Sequence, residues 1–206
     1  MTDRVRKYIR QYQLLREGDR VTVGLSGGAD SVCLLLCMKA MQEEYRLQLQ
    51  AVHVHHGLRG EEADRDAAFA EALCRKLVVP FRLRHAPVRE LARREGLSLE
   101  EAGRILRYRI LREEADGGKI AVAHHRDDQS ETLLFHMVRG TGIRGLAGML
   151  PEKDGIIRPL LCVGRAEIEA YLQSVGQEYC VDSTNADTAY ARNRIRCELF
   201  PWLRDN

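Results

Sequence analysis

Nowhere is this chain apolar for long enough to cross a bilayer as a helix, which takes roughly 20 residues. Its beginning, Met1-Thr-Asp-Arg-Val-Arg-Lys, has no apolar leader core, so a bacterial-type cytoplasm is the expected compartment. No Gly-x-x-x-x-Gly-Lys-Ser/Thr occurs, which excludes a Walker A loop. The six cysteines are Cys33, Cys37, Cys74, Cys162, Cys180 and Cys197. None forms Cys-x-x-Cys, so zinc-ribbon and thioredoxin-like readings lack support. Cys33 and Cys37 stand four apart in an apolar helical run and read as core residues. Reduced thiols suit a cytoplasmic protein. A formal net charge of +2 excludes a uniformly basic binder, yet 27 of the 32 cationic residues are arginine. That bias suits bidentate phosphate contacts, and equally a GC-rich genome. There is no internal repeat and no low-complexity segment.

A length of 206 residues with 45% hydrophobic and 30% charged content fits one well-buried α/β domain with room for a small appendage. Strand patterns cover Val21–Leu25, Gln50–His55, Phe81–His85 and Ile120–His124, with a short one at Ile156–Leu161. Helical patterns cover Asp3–Leu15, Ser31–Glu44, Glu61–Leu77, Leu99–Glu114, Asp127–Arg139 and Arg165–Val175, with a last one at Ala191–Leu199. The alternation predicts a doubly wound, mostly parallel sheet with helices on both faces. Ligands in such folds sit beyond the C-terminal strand ends, and the unusual residues gather there. Gly140 to Gly155 holds five glycines and Pro151 and reads as a mobile or substrate-facing connection. Gly140-Thr-Gly-Ile-Arg-Gly145 fits Gly-x-Gly-x-x-Gly but follows a helix, so a Rossmann reading fails on context.

Four clusters carry chemistry. In the first, a β-branched run ends in Ser26-Gly27-Gly28-Ala29-Asp30-Ser31 and an apolar helix follows. Glycines let backbone approach a ligand, and free N–H groups with the helix dipole favour phosphate. Ser26 and Ser31 add hydroxyls. Asp30 would repel a phosphate unless a cation lay between them, which points to a nucleotide bound with Mg²⁺. The loop resembles the PP-loop of the ATP-pyrophosphatase superfamily at every fixed position of Ser-Gly-Gly-x-Asp-Ser. That resemblance implies cleavage of ATP between the α- and β-phosphates.

The second cluster, His53-Val-His55-His56-Gly57-Leu-Arg59, ends a strand. His53 and His55 share a face. A metal site, a buried polar role and a nucleotide or substrate contact by His56 all remain open, and Arg59 after its glycine turn could meet a phosphate. In the third, Ser98 and Glu101 form a capping box, and Arg104 and Arg107 lie three apart on one helix face. They either cover a solvated surface or grip anions. The fourth is Ala123-His-His125-Arg-Asp127-Asp128-Gln-Ser130-Glu131-Thr132. Asp127 can cap the helix, and Asp128 and Glu131 share its first-turn face. That acidity suits the dipole, and it can also hold an ammonium group or Mg²⁺, or remove a proton.

In this order, the clusters resemble the tRNA(Ile)-lysidine synthetase family. The likeness continues through Arg139-Gly-Thr-Gly142, Arg158-Pro-Leu-Leu161, Asp182-Ser-Thr-Asn185 and Arg192-Asn-Arg194-Ile-Arg196. Gly103 and Ser130 stand where alanine is usual. The resemblance implies an AMP-forming carbon–nitrogen ligase that uses ATP and Mg²⁺ to join free lysine to the wobble cytidine of a CAU-anticodon isoleucine tRNA. Ser26, Gly27, Gly28, Ala29, Asp30, Ser31 and His56 would bind nucleotide, with Asp30 on Mg²⁺. Asp30, Arg104, Arg107, Asp128 and Glu131 would be catalytic. Asp128, Glu131, Arg59, Arg139, Arg192 and Arg194 would meet lysine or tRNA. Arg144 and Arg196 are further phosphate candidates, and a homodimer stays open. Residues 1–186 would form the catalytic domain and 187–206 the start of a linker to C-terminal domains. The alternatives are a PP-loop tRNA thiolase, which usually needs clustered cysteines, an ammonia-using amide synthetase, and a nucleotide- or tRNA-binding fragment without turnover.

Overall fold

Val21, Val23 and Leu25 alternate with Thr22 and Gly24, and this period-two pattern builds the central strand Arg20–Gly24 (β1). In this computed structural model, residues 1–138, 140, 142 and 147–181 are described. The expected last helix Ala191–Leu199 and the 186/187 boundary lie outside them, as do Arg139, Arg144, Arg192, Arg194 and Arg196. The other strands are Gln48–His55 (β2), Phe81–His85 (β3), Lys119–Ala121 (β4), Glu152–Lys153 (β5) and Ile156–Ile157 (β6). They form one sheet in the order β3-β2-β1-β4-β6-β5. All neighbours run parallel except β5 and β6.

The helices are Thr2–Gln11 (α1), Ala29–Ala40 (α2), Glu61–Leu77 (α3), Val88–Glu95 (α4), Leu99–Ala115 (α5), Arg126–Val138 (α6) and Arg165–Ser174 (α7). Each sheet face has its own core. Val21, Val23, Leu25, Leu49 and Ala51 pack with α1, α2, α3 and α7. Val52, Ile120, Val122 and Ile156 pack with α4 and α5. Full burial of one such side chain contributes roughly 1.5–3 kcal/mol. The doubly wound, mostly parallel α/β architecture expected from the alternation is the one that forms. Among the described residues no helix is long and apolar enough to cross a membrane.

Several local expectations need correction. The strand expected at Ile156–Leu161 stops at Ile157, because Pro159 has no N–H for the ladder and opens a 3-10 turn, Pro159–Cys162. Part of the expected loop is a hairpin. Asp154 and Gly155, at φ 53° and 74°, join β5 to β6 as a two-residue turn. Helix α4 was not foreseen, although Val88, Leu91 and Ala92 form its buried stripe and Gly96 ends it in the left-handed region. Helix α2 starts at Ala29 rather than Ser31, which places Asp30 inside its first turn. The capping box forms as expected: Glu101 N–H donates to Ser98 Oγ at 3.2 Å, and Ser98 N–H donates to Glu101 Oε2 at 3.2 Å.

Two glycines make opposite predictions. A Cβ on Gly118 would sit 2.8 Å from the Arg20 carbonyl oxygen and 2.9 Å from that of Ala115, and backbone cannot yield cheaply. A Cβ on Gly103 would meet the His56 ring at an ordinary 3.8 Å. Gly118→Ala is expected to cost about 1–3 kcal/mol, and Gly103→Ala to gain up to about 1 kcal/mol from helix propensity. Urea denaturation of both variants checks this, and equal stabilities would refute it.

Candidate active site

With β2 and β4 on either side of β1, the chain leaves β1 in one direction to form α2 and leaves β4 in the other to form α6. Here lies the sheet's switch point, and the two connections open a crevice beyond the strand ends. The loop Ser26–Gly28 and the segment 122–125 fall on its two sides.

The loop is shaped by its own hydroxyls. Ser26 N–H donates to Ser31 Oγ at 3.1 Å, and the two hydroxyl oxygens lie 3.0 Å apart. Ser31 Oγ donates to the Gly28 carbonyl at 3.0 Å. Ser31 is buried, so its proton holds the turn rather than reaching outward. Gly27 has φ 94°, where a side chain would be strained. Its carbonyl accepts from Cys180 N–H at 2.9 Å, so the segment after α7 braces the loop. Gly28 caps α2 without any side-chain hydrogen bond. The first-turn amides of α2 therefore keep the anion preference of an uncapped helix start.

Asp30 is the electrostatic centre. Its Oδ2 accepts from Arg165 Nη1 at 2.8 Å and lies 3.7 Å from His125 Nε2. Its Oδ1 is buried without a partner. Burial raises its pKa and nearby Asp128 adds to the rise, while His125 and Arg165 oppose it. His125 is buried, and its Nδ1 accepts from Asp127 N–H at 3.2 Å. A neutral ring then carries its proton on Nε2, facing Asp30 and, at 3.5 Å, Asp128 Oδ2. The same Asp128 oxygen accepts from His125 N–H at 2.9 Å, capping the first turn of α6. Glu131 is buried one turn further along. The expected cap by Asp127 does not form. Its Oδ2 accepts from Arg165 N–H at 2.9 Å and so serves α7 instead.

On the other side of the sheet, α5 places Arg107 near His56. Burial lowers the pKa of His56 to about 4, and the charge of Arg107 adds to this. His56 Nδ1 is buried without a partner. Arg104 stacks over Tyr108, 5.1 Å from the ring centre. The remaining histidines of the second cluster each have a partner within the fold. His53 Nδ1 lies 2.9 Å from the Leu25 carbonyl and His55 Nε2 lies 3.1 Å from Asp64 Oδ1. Arg59, expected to meet phosphate, donates to Asp66 Oδ2 at 2.8 Å. Arg165 and His125 were missed as site residues. Only one signal for Arg165 was legible: a cation in the first turn opposes the helix dipole.

A family profile described as the PP-loop domain matches residues 1–203. The chain belongs to the PP-loop family. The tRNA(Ile)-lysidine synthase of Caldanaerobacter subterraneus subsp. tengcongensis is 41% identical over 208 residues, which is 100% of this chain and 44% of that protein. That of Porphyromonas gingivalis is 46% identical over 210 residues, covering 100% and 45%. The chain thus spans about half the length of the curated relatives it matches. Among solved structures, the U34-tRNA thiolase NcsA from Methanococcus maripaludis has a TM-score of 0.77 at 19% identity, covering 99% of this chain and 73% of that one. The NH3-dependent NAD synthetase from Campylobacter jejuni has a TM-score of 0.58 at 16% identity, covering 99% and 85%. These two share the PP-loop fold with this chain.

His56 gives a pH prediction. Its folded pKa of about 4 lies below the unfolded ~6.5, so in this window the unfolded chain binds the extra proton. Its contribution is present above pH ~6.5 and is lost as pH falls toward 4. Between pH 7 and pH 5 the wild type should lose about 2 kcal/mol more than His56→Gln in urea denaturation. Equal losses would show that His56 is not held neutral by the fold.

Proposed function

We propose that this chain is the ATP-using part of a tRNA(Ile)-lysidine synthase. The reading rests on one observation. Across the switch point the loop carboxylate Asp30 lies 3.7 Å from His125 Nε2, which lies 3.5 Å from Asp128, so the loop and the start of α6 share one charged cluster. The relatives that match this chain along its whole length and carry that name support it.

In the proposed reaction the wobble cytidine's carbonyl oxygen attacks the α-phosphorus of ATP. The bond to the β-phosphate oxygen breaks and pyrophosphate leaves. The lysine amine then displaces AMP from the adenylated base and loses a proton. Backbone N–H groups of Gly27, Gly28 and Ala29 at the start of α2 bind the leaving pyrophosphate. Ser26 and Ser31 hold that backbone in shape. Arg104 and Arg107 offset charge that builds on the phosphates, and His56 lies beside Arg107 at the nucleotide. Asp128 and Glu131 receive the lysine ammonium. At pKa ~10.4 that group is mostly protonated, and a carboxylate can accept its proton before attack.

The donor set around Asp30 fits Mg²⁺. A hard divalent cation takes carboxylate oxygen and keeps water and substrate phosphate as its other ligands. A buried carboxylate oxygen without a partner is a position such an ion would satisfy. When bound, Mg²⁺ neutralises phosphate charge. Arg165 holds the other Asp30 oxygen and keeps the carboxylate aimed. The thiolase alternative needs clustered sulfur, whereas Cys33, Cys37 and Cys74 are buried in the hydrophobic core. The isoleucine tRNA, free lysine, a homodimer and a cytoplasmic site belong to this proposal.

The test is incubation of this chain with labelled lysine, Mg²⁺-ATP and CAU-anticodon isoleucine tRNA. Lysine-dependent AMP release and labelled tRNA are expected. ATP turnover that ignores lysine and tRNA would sink the reading. Asp30→Ala should cut turnover on the order of 100-fold or more. Its melting temperature should hold or rise, because the variant also removes a buried unpartnered oxygen. Undiminished turnover would take Asp30 out of the reaction.

A further inference from the structure

Between α5 and the β5–β6 hairpin lies a cavity of about 370 Å³. Its wall includes four cations, Arg104, Arg112, Lys153 and Arg158, against one carboxylate, Asp154. Among the described residues none of the four cations has an ion-pair partner within 4.0 Å. Arg6, Arg10, Arg20, Arg46, Arg75 and Arg84, by contrast, each pair with a carboxylate.

Arg158 is the decisive residue. It is 8% exposed, and its Nε is buried without a partner. The hairpin fixes it from both ends: Arg158 N–H donates to the Pro151 carbonyl at 2.8 Å, and Nη1 donates to the Leu150 carbonyl at 2.8 Å. A rigidly held, desolvated guanidinium with an unused donor is costly to keep, because burying an unpaired polar group costs free energy. Burial pushes its pKa down and the charge of Arg104 adds to this, while Tyr108 opposes the shift, partly through a hydrogen bond. Three guanidiniums and one ammonium around one cavity suit a ligand with several oxygens and more than one negative charge. Tyr108 adds an aromatic wall on which Arg104 already lies.

We infer that the pocket between α5 and the β5–β6 hairpin is a phosphate-binding site separate from the Ser26–Ser31 loop, taking a phosphate of an RNA backbone or a free phosphate. It lies on the α4–α5 face of the sheet, whereas the loop opens α2 on the other face. Arg104 lines it and belongs to the proposed catalytic set as well. A strand of RNA held here would continue toward that arginine. The RNA source rests on the proposed function, and the phosphate site itself does not.

The experiment measures binding and needs no turnover. Arg112 and Lys153 are exposed and lie outside the catalytic set, so Arg112→Ala/Lys153→Ala is the main variant. Three ligands are titrated: a short fluorescein-labelled single-stranded RNA by anisotropy, inorganic phosphate by calorimetry, and an ATP analogue by calorimetry. The expected result is RNA affinity roughly tenfold weaker, with the salt slope shallower by about 1.4 for two lost contacts to a single strand, and an unchanged ATP analogue. Loss of inorganic phosphate binding with RNA unaffected would support the site with a free phosphate as its ligand. Unchanged affinity for both RNA and phosphate would overturn the inference, and so would an equal loss for the ATP analogue, since the pocket would then be part of the nucleotide site. Arg158→Met, checked for folding by its melting temperature, should reproduce the loss. If it fails to fold, the exposed double variant still decides. A chain whose ATP turnover ignores lysine and tRNA yet shows this binding change refutes the proposed function and leaves the phosphate site standing.

Discussion

The parallel pairing of β1 with β2 on one side and β4 on the other is the constraint on which the site depends. Thr22 lies in register with Gln50 across one seam and with Ile120 across the other. A shift by one residue on either seam would turn Val21, Val23 and Leu25 out of their core. It would also part the two crossings that the switch point brings together. Because the strands are parallel, both following helices begin at the same end of the sheet. Their starts face one crevice and bring the same sign of dipole to it. An electropositive backbone is thus in place before any side chain is considered.

Charged side chains then refine that field. Asp30 and Asp128 put negative charge where two helix starts favour it, and His125 and Arg165 keep the two carboxylates from repelling each other freely. Arg165 is in turn held by Asp127, which ties α6, α7 and α2 into one network. Across the sheet, the middle of α5 carries Arg104, Arg107, Arg109 and Arg112 between acidic ends, Glu100–Glu101 and Glu113–Glu114. Its partners are His56 near Arg107 and Arg158 near Arg104. Three of the buried atoms that lack a hydrogen-bond partner, Asp30 Oδ1, His56 Nδ1 and Arg158 Nε, belong to these two regions, and His55 Nδ1 is another. Buried polar atoms are satisfied by protein groups, ordered water or a ligand.

Legibility followed the range of the interactions. The Ser98–Glu101 capping box and the turn from β1 into a helix are local, and each formed as read. Two further local signals went unread: Val88, Leu91 and Ala92 before Gly96, which mark α4, and the Asp154-Gly155 pair, whose positive φ angles make a hairpin turn. Asp127 was misread because it sits where a cap residue would, and nothing within a few residues shows that the α7 amide of Arg165 competes for it. The pairing of Arg59 with Asp66 of α3 was likewise not visible in the local sequence.

By itself the sequence determined the fold class, the glycine loop after β1 and the family resemblance, because periodicity, glycine placement and motif order are properties of neighbouring residues. Only the tertiary structure decided which of those residues meet. Asp30 and Arg165 are separated by 135 positions, yet their side chains touch. Arg104 and Arg158 come together because β6 pairs beside β4, on the face that α5 covers. Electrostatic partners are chosen by distance in space, and the order of strands in a sheet sets that distance.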